Sequence, residues 1–166
     1  LMLFLSIGYY FVSLIAGWII LFTGKYPKWA WDYYVKLNRY ALRVNAINAN
    51  LTDKYPAFGL GGTHPDMDFD VPYQEEQSRG RLIIRVLFGG LMLIPHSFVL
   101  FFLGIGVSIV GFIAFWAILF TGKYPEGMFN FVVNTMRWRF RVNAWYALLT
   151  DGYPAFTGKV LDSENK

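Results

Sequence analysis

Two long runs without a charged residue constrain this chain more than any other feature. They cover residues 1–22 and 86–120, and Pro95 and His96 are the main interruptions of the second. A helix needs about 20 apolar residues to cross the hydrocarbon core of a bilayer. Only 16% of the residues are charged, whereas about 25% is usual in soluble domains. The two runs therefore predict an all-α integral membrane protein.

A secretory signal peptide is the alternative interpretation of residues 1–22. The run has no basic residue at its start, and the sequence from Thr23 to Pro27 is a poor cleavage site. A transmembrane helix is therefore favoured over a signal peptide.

Sequence motifs recur at a constant separation of 98 residues. Residues 21–27 recur at 119–125, residues 43–46 recur at 141–144, and Tyr-Pro-Ala-Phe at 55–58 recurs at 153–156. This pattern predicts a tandem repeat in which each copy is one structural unit. Leu1 aligns with the middle of the second apolar run, so we expect the native protein to extend further toward the N-terminus by at least one helix.

Each repeat is predicted to be a short helical hairpin, transmembrane or re-entrant, followed by an amphipathic interfacial helix. The predicted regions are a first repeat (1–58) that lacks its N-terminal part, a polar connector (59–80), a second repeat (81–158) and a polar tail (159–166). The predicted helices are 1–22 and 28–50 in the first repeat, and the hairpin 82–103 and 105–121 followed by 126–148 in the second.

The hairpin prediction rests on length, glycine and charge. Forty helical residues would extend over about 60 Å, twice the hydrocarbon thickness, and Gly104 and Gly106 lie near the middle, where glycine can end a helix. Basic residues precede and follow the second run, while its centre carries none. The positive-inside bias thus favours a hairpin with both ends in the cytoplasm. A re-entrant wedge that never reaches the far side remains the alternative.

Basic and aromatic residues alternate in the segments that follow each Tyr-Pro. A stripe of arginines between two apolar faces is typical of a helix in the headgroup zone, where arginine binds phosphate bidentately. Plain anchoring, with the arginines paired to carboxylates or carbonyls, is the alternative. The candidate contacts to lipid headgroups or a partner are Lys25, Lys36, Arg39, Arg43, Arg81, Arg85, Lys123, Arg137, Arg139 and Arg141.

Small residues in the second apolar run let helices approach closely. We therefore expect other membrane-protein subunits as partners, beside membrane lipids that include anionic ones. The candidate packing residues are Gly89, Gly90, Gly104, Gly106 and Gly111.

Two ionisable side chains lie inside the second run. Arg85 lies about one turn from its start, and its long side chain can extend to the interface. His96 lies deeper, where an ionisable group is a candidate proton relay or ligand. The alternative, which we favour, is a neutral imidazole that binds a carbonyl left free by Pro95.

The connector is the main water-facing segment. Residues 66–71 alternate between aspartate and apolar residues, which predicts a short strand with one solvated face. His64 and the three aspartates suggest a divalent-metal site as an alternative, but the glycine and distal glutamate of a calcium-binding loop are absent. We therefore predict no metal and no other cofactor.

The motifs resemble those of a bacterial membrane family that is catalogued as domain of unknown function 4389. The resemblance rests on Ser78-Arg79, on Pro95-His96, on residues 118–125 and on residues 149–156. It implies a bacterial membrane protein built of one or two such units, and it implies no catalytic residue. We expect a multi-pass protein of the bacterial cytoplasmic (inner) membrane, with its polar segments in the cytoplasm. The first copy lacks the Ser-Arg and Pro-His elements.

No catalytic constellation stands out in the sequence. The chain has two histidines and no cysteine, with no Gly-rich phosphate loop and no metal-spaced histidine pair. Neither an enzymatic activity nor a nucleic-acid partner is expected. We expect a non-catalytic accessory or scaffold subunit of a larger membrane complex. A lipid-binding, lipid-handling or transport module is the alternative, and bilayer shaping by wedge hairpins is a third class.

Overall fold

The protein is all-helical in the computed structural model, which describes residues 2–55, 59–65 and 67–160, with the backbone alone for residues 2–6. The helices are α1 (Met2–Thr23), α2 (Lys28–Asn48), α3 (Arg79–Thr121) and α4 (Glu126–Tyr146). Within the described residues no β-strand forms. The predicted all-α class is confirmed.

Helix ends follow the local signals of the Thr-Gly-Lys-Tyr-Pro motif. Gly24 and Gly122 adopt left-handed backbone conformations, with φ of 74° and 67°, and these close α1 and α3. Such a conformation costs glycine little because it has no Cβ. Pro27 and Pro125 are extended and directly precede α2 and α4. The predicted helix boundaries around both motifs lie within two residues of the observed ones.

The predicted hairpin at 82–103 and 105–121 is wrong, because α3 is one continuous helix of 43 residues. Neither Gly104 nor Gly106 adopts the positive φ that would end a helix there. Gly106 instead lies against the Phe131 ring of α4, which a Cβ would approach to 3.0 Å. The glycines therefore permit close packing within a helix that continues past them.

The predicted strand at 66–71 is also wrong over the described residues 67–71; Asp66 lies outside them. This segment has no regular secondary structure and pairs with no strand. The expected alternation does hold for exposure, since Phe69 and Val71 pack against the core while Asp68 and Asp70 face solvent. The alternation in the sequence thus predicted which side chains face the core. It did not predict whether the backbone forms hydrogen bonds to a neighbouring strand.

The core lies where α1 and α2 meet the end of α4. Tyr26, Tyr34 and Leu149 are buried there. The Tyr26 hydroxyl donates a hydrogen bond of 2.9 Å to the Ala147 carbonyl at the end of α4. Burial raises the pKa of Tyr26 and keeps this hydroxyl protonated as a donor. These contacts join the two halves of the chain.

Candidate functional site

A buried guanidinium ties the start of α3 to the end of α4. Arg85 is 7% exposed, and its Nη1 and Nη2 each donate a 2.9 Å hydrogen bond, to the carbonyls of Trp145 and Thr150. Its guanidinium lies 4.6 Å from the centre of the Trp145 ring. These protein groups bind the Arg85 guanidinium, and its extension to a membrane interface stays a prediction.

A carboxylate lies beside this guanidinium. Asp151 forms an ion pair with Arg81, with 3.2 Å between Oδ2 and Nη1, and its Oδ1 lies 3.9 Å from Nη2 of Arg85. The Arg81 side chain is 61% exposed, so its pairing is largely screened by water. Arg85 is therefore the main structural cation of this cluster, and Arg81 lies at its rim.

His96 is fully buried in an aromatic box. Its ring stacks on Phe156 with centroids 3.9 Å apart, and its Nδ1 accepts a 3.1 Å hydrogen bond from the Trp138 indole. An indole N–H can only donate, so Nδ1 carries no proton and the imidazole is neutral, as expected. The expected carbonyl partner is wrong, because the imidazole binds Trp138.

A tyrosine hydroxyl meets the helix next to Pro95. Tyr153 donates a 2.7 Å hydrogen bond to the Met92 carbonyl, one residue from the carbonyl that Pro95 leaves without its helical donor. Together with Phe156, this contact folds residues 150–156 back over α3. The Pro95-His96 element and the Tyr-Pro-Ala-Phe element at 153–156 thus pack against each other. The equivalent Pro56, Ala57 and Phe58 lie outside the described residues.

The basic residues of the first half of the chain mostly contact other parts of the protein. Lys25 pairs with Glu75 at 2.8 Å, which raises the pKa of Lys25. Arg39 pairs with Asp68 at 2.8 Å, and the buried Arg43 donates to the Gly59 carbonyl at 2.8 Å. Lys36 is exposed. Anchoring through carboxylates and carbonyls therefore describes most of this set.

The arginines of α4 divide between two faces. Arg137 and Arg141, one turn apart, donate to carbonyls of residues 157–159 at 2.6–3.2 Å. Arg139 is exposed on another face, with an Nη near Gly104. Lys123 is exposed in the turn before α4.

The candidate packing glycines differ in their surroundings. A Cβ at Gly89 would contact the Trp145 ring at 3.9 Å, and one at Gly104 would meet Arg139 at 3.6 Å. Gly106 faces Phe131 most tightly, whereas Gly90 and Gly111 face open space. Three of the five therefore lie toward α4, and a role in packing against other subunits stays a prediction.

An open groove of about 930 Å³ lies between α2, α4 and the connector. Apolar side chains form most of its wall, and the charged side chains that line it are Arg137, Arg141, Asp68 and Asp70. Four of its apolar side chains recur at helical spacing along one face of α4. The apolar lining includes Leu42, Met67, Phe129, Val133, Met136 and Phe140.

A side-chain amide pair between α2 and α4 was not predicted from the sequence. The Asn143 Nδ2 donates a 2.7 Å hydrogen bond to Asn38 Oδ1, and Asn38 Nδ2 donates in turn to the Tyr34 carbonyl at 2.9 Å. Asn38 is 2% exposed. The sequence offered one signal for this pair. Asn38 corresponds to Met136 in the second repeat, so a polar residue stands where the other copy has an apolar one.

In the part of the chain that the structure describes, no three His, Asp or Glu side chains lie close enough together to hold a metal ion. Asp68 and Asp70, two of the three aspartates considered, both lie near Arg39. Asp66 lies outside the described residues.

The fold and these contacts define a class: an all-helical protein with an apolar helix able to cross a membrane. Among the described residues, α3 is the one helix that is long and apolar enough by length and composition. A shorter apolar stretch lies within α1, at Ile7–Thr23.

Residues 81–158 match the model of a family described as Domain of unknown function (DUF4389). The matched range contains Arg85, His96, nearly all of α3, the whole of α4 and the segment that folds back. This supports the resemblance drawn from the motifs. No curated protein and no solved structure matches the chain.

Proposed function

We propose that the chain is a non-catalytic, membrane-embedded accessory or scaffold subunit that packs against a larger membrane protein complex. One observation carries the proposal: large apolar side chains are exposed along the whole of α3, from Ile83 to Phe120. Phe98, Phe102 and Phe112 are 65%, 55% and 67% exposed. Exposed apolar surface on this scale is typical of membrane or protein contact.

We further propose two tandem copies of one unit in a bacterial cytoplasmic membrane, with the polar segments in the cytoplasm. The copies are supported by the recurring motifs and by helices α2 and α4 that begin and end 98 residues apart. The basic residues of α4 would meet the anionic lipid of the cytoplasmic leaflet.

Extraction in mild detergent from the native membrane tests the scaffold proposal. The full chain should migrate in a complex of defined stoichiometry. Replacing Phe102 and Phe112 by alanine should release it, because both lie on the exposed surface of α3. Asn130→Ala, on an exposed position of α4, is the matched control and should leave the complex intact. A chain that always migrates alone would overturn the proposal.

Lipid handling is the second candidate function and has an observation of its own, the groove between α2 and α4. Pockets of about 300–1,000 Å³ with apolar walls and a few polar groups are typical of small-molecule sites. A transport role has no comparable support from the described residues.

A further inference from the structure

The groove between α2 and α4 has the form of a site for a flexible apolar chain. Its volume is about 930 Å³ and it is partly open, and empty apolar space of this kind forgoes the packing contacts that stabilise interiors. Met67 and Met136 line it, and methionine adapts to irregular apolar ligands. An acyl chain would restore those contacts without demanding an exact shape.

Arg137 and Arg141 line the same groove, which also contains Asp68 and Asp70, whose carboxylates lie 2.8 and 3.5 Å from the Arg39 guanidinium. Arg137 donates to the Asn134 side chain at 3.0 Å and to the Gly158 carbonyl at 3.2 Å, and both acceptors are neutral. It forms no ion pair with any described residue. Guanidinium groups bind carboxylate and phosphate more strongly than neutral acceptors, often through two parallel hydrogen bonds.

The first half of the chain shows what this position can bind. Arg39 stands 98 residues before Arg137 in the recurring sequence, and it holds the Asp68 carboxylate at 2.8 Å with Asp70 at 3.5 Å. The same residue on the equivalent helix thus has an anionic partner in one half and neutral partners in the other. An anion from outside the chain could pair with Arg137 as the Asp68 carboxylate pairs with Arg39.

We propose that the groove binds an anionic phospholipid, with an acyl chain between Val133 and Phe140 and the phosphate on Arg137. The inference rests on the lipid-handling proposal and adds to it the ligand class and the site. A lipid rather than a soluble anion is favoured because the apolar wall and the arginine belong to one groove, on a chain that also exposes an apolar helix.

Native mass spectrometry of the full chain tests this directly. The protein is equilibrated with equal amounts of phosphatidylglycerol and phosphatidylcholine of identical acyl chains, and the lipids retained after delipidation are counted. We expect one retained phosphatidylglycerol in preference to phosphatidylcholine. Arg137→Gln should lower that retention on the order of tenfold, since a charge-assisted bond is lost. Arg139→Gln, which removes the same charge from another face of α4, should not.

Filling the groove provides an independent variant. Val133→Trp should abolish retention while keeping both arginines, and Asn130→Trp on an exposed position of the same helix is its control. Equal retention of both lipids, or retention unaffected by Arg137→Gln or Val133→Trp, would overturn the site. Failure to retain either lipid would instead overturn the lipid-handling proposal on which it rests.

Discussion

At the scale of single residues, Arg85 and His96 show how a polar group is accommodated in an apolar helix. Arg85 satisfies two carbonyls at the end of α4, and His96 accepts from an indole. Both partners lie more than 40 positions further along the chain. The sequence marked these two residues as unusual, but it could not identify partners that depend on how α4 crosses α3.

Removing the Arg85 side chain should destabilise the fold strongly. Arg85→Ala leaves the Trp145 and Thr150 carbonyls without their donor, and hydrogen bonds from a charged group are each worth about 1.5–3 kcal/mol. We expect the free energy of unfolding in detergent to fall by about 3 kcal/mol, measured by chemical denaturation followed through tryptophan fluorescence.

Arg81→Ala is the matched control for this prediction. Arg81 shares the Asp151 carboxylate but is exposed, so its loss should cost less than about 1 kcal/mol. Equal losses in the two variants would mean that the buried hydrogen bonds are not what stabilises this cluster.

At the scale of elements, α3 is where expectation and structure diverge most. One continuous helix places Leu91 and Phe115 about 36 Å apart. A turn at Gly104 would instead place them on neighbouring helices, whose axes lie about 10 Å apart. Both side chains are exposed and accept a spin label without disturbing the core.

Pulsed electron-electron distance measurement on that labelled pair should therefore give a single long distance. Labels at Ile83 and Phe101 serve as the control, because about 27 Å is expected between them with or without a turn at Gly104. A short distance between Leu91 and Phe115 would refute the continuous helix.

Local signals decided what the sequence could predict about these elements. Thr-Gly and Tyr-Pro act through the backbone of their own residues. The ends of α1 and α3 and the starts of α2 and α4 could therefore be predicted from the sequence. The effect of Gly104 and Gly106 depends on the neighbouring side chains of α4, and the pairing of residues 67–71 depends on a distant strand. Those outcomes are set by tertiary packing, which no local pattern contains.

At the scale of the whole molecule, α2 and α4 join the two halves. Tyr26 donates to Ala147 at 2.9 Å, and Tyr124 donates to Ala49 at 3.5 Å. Each hydroxyl therefore meets the carbonyl that ends the amphipathic helix of the other half. The Asn38–Asn143 bond lies between the same two helices.

A double-mutant cycle should show that this amide pair couples the halves. Asn38→Ala and Asn143→Ala should each destabilise the protein, and the double variant should lose about 1 kcal/mol less than the sum of the two, because both break the same bond. Denaturant titration measures all four proteins. Asn130→Ala combined with Asn143→Ala should be additive, and additivity of the first pair would contradict the coupling.

The length of α3 also determines how the molecule suits a given bilayer. The uncharged run at 86–120 extends over about 52 Å as a helix, whereas a typical hydrocarbon core is about 30 Å thick. Matching the two by tilt alone requires roughly 55°, beyond the 0–40° seen for membrane helices. In the membrane-embedded subunit proposed above, the remaining hydrophobic mismatch would have to be met by bending of α3 or by deformation of the surrounding lipid, and this cost falls as the bilayer thickens. The protein is thus expected to favour thick membranes and to respond to the acyl-chain length of its lipids.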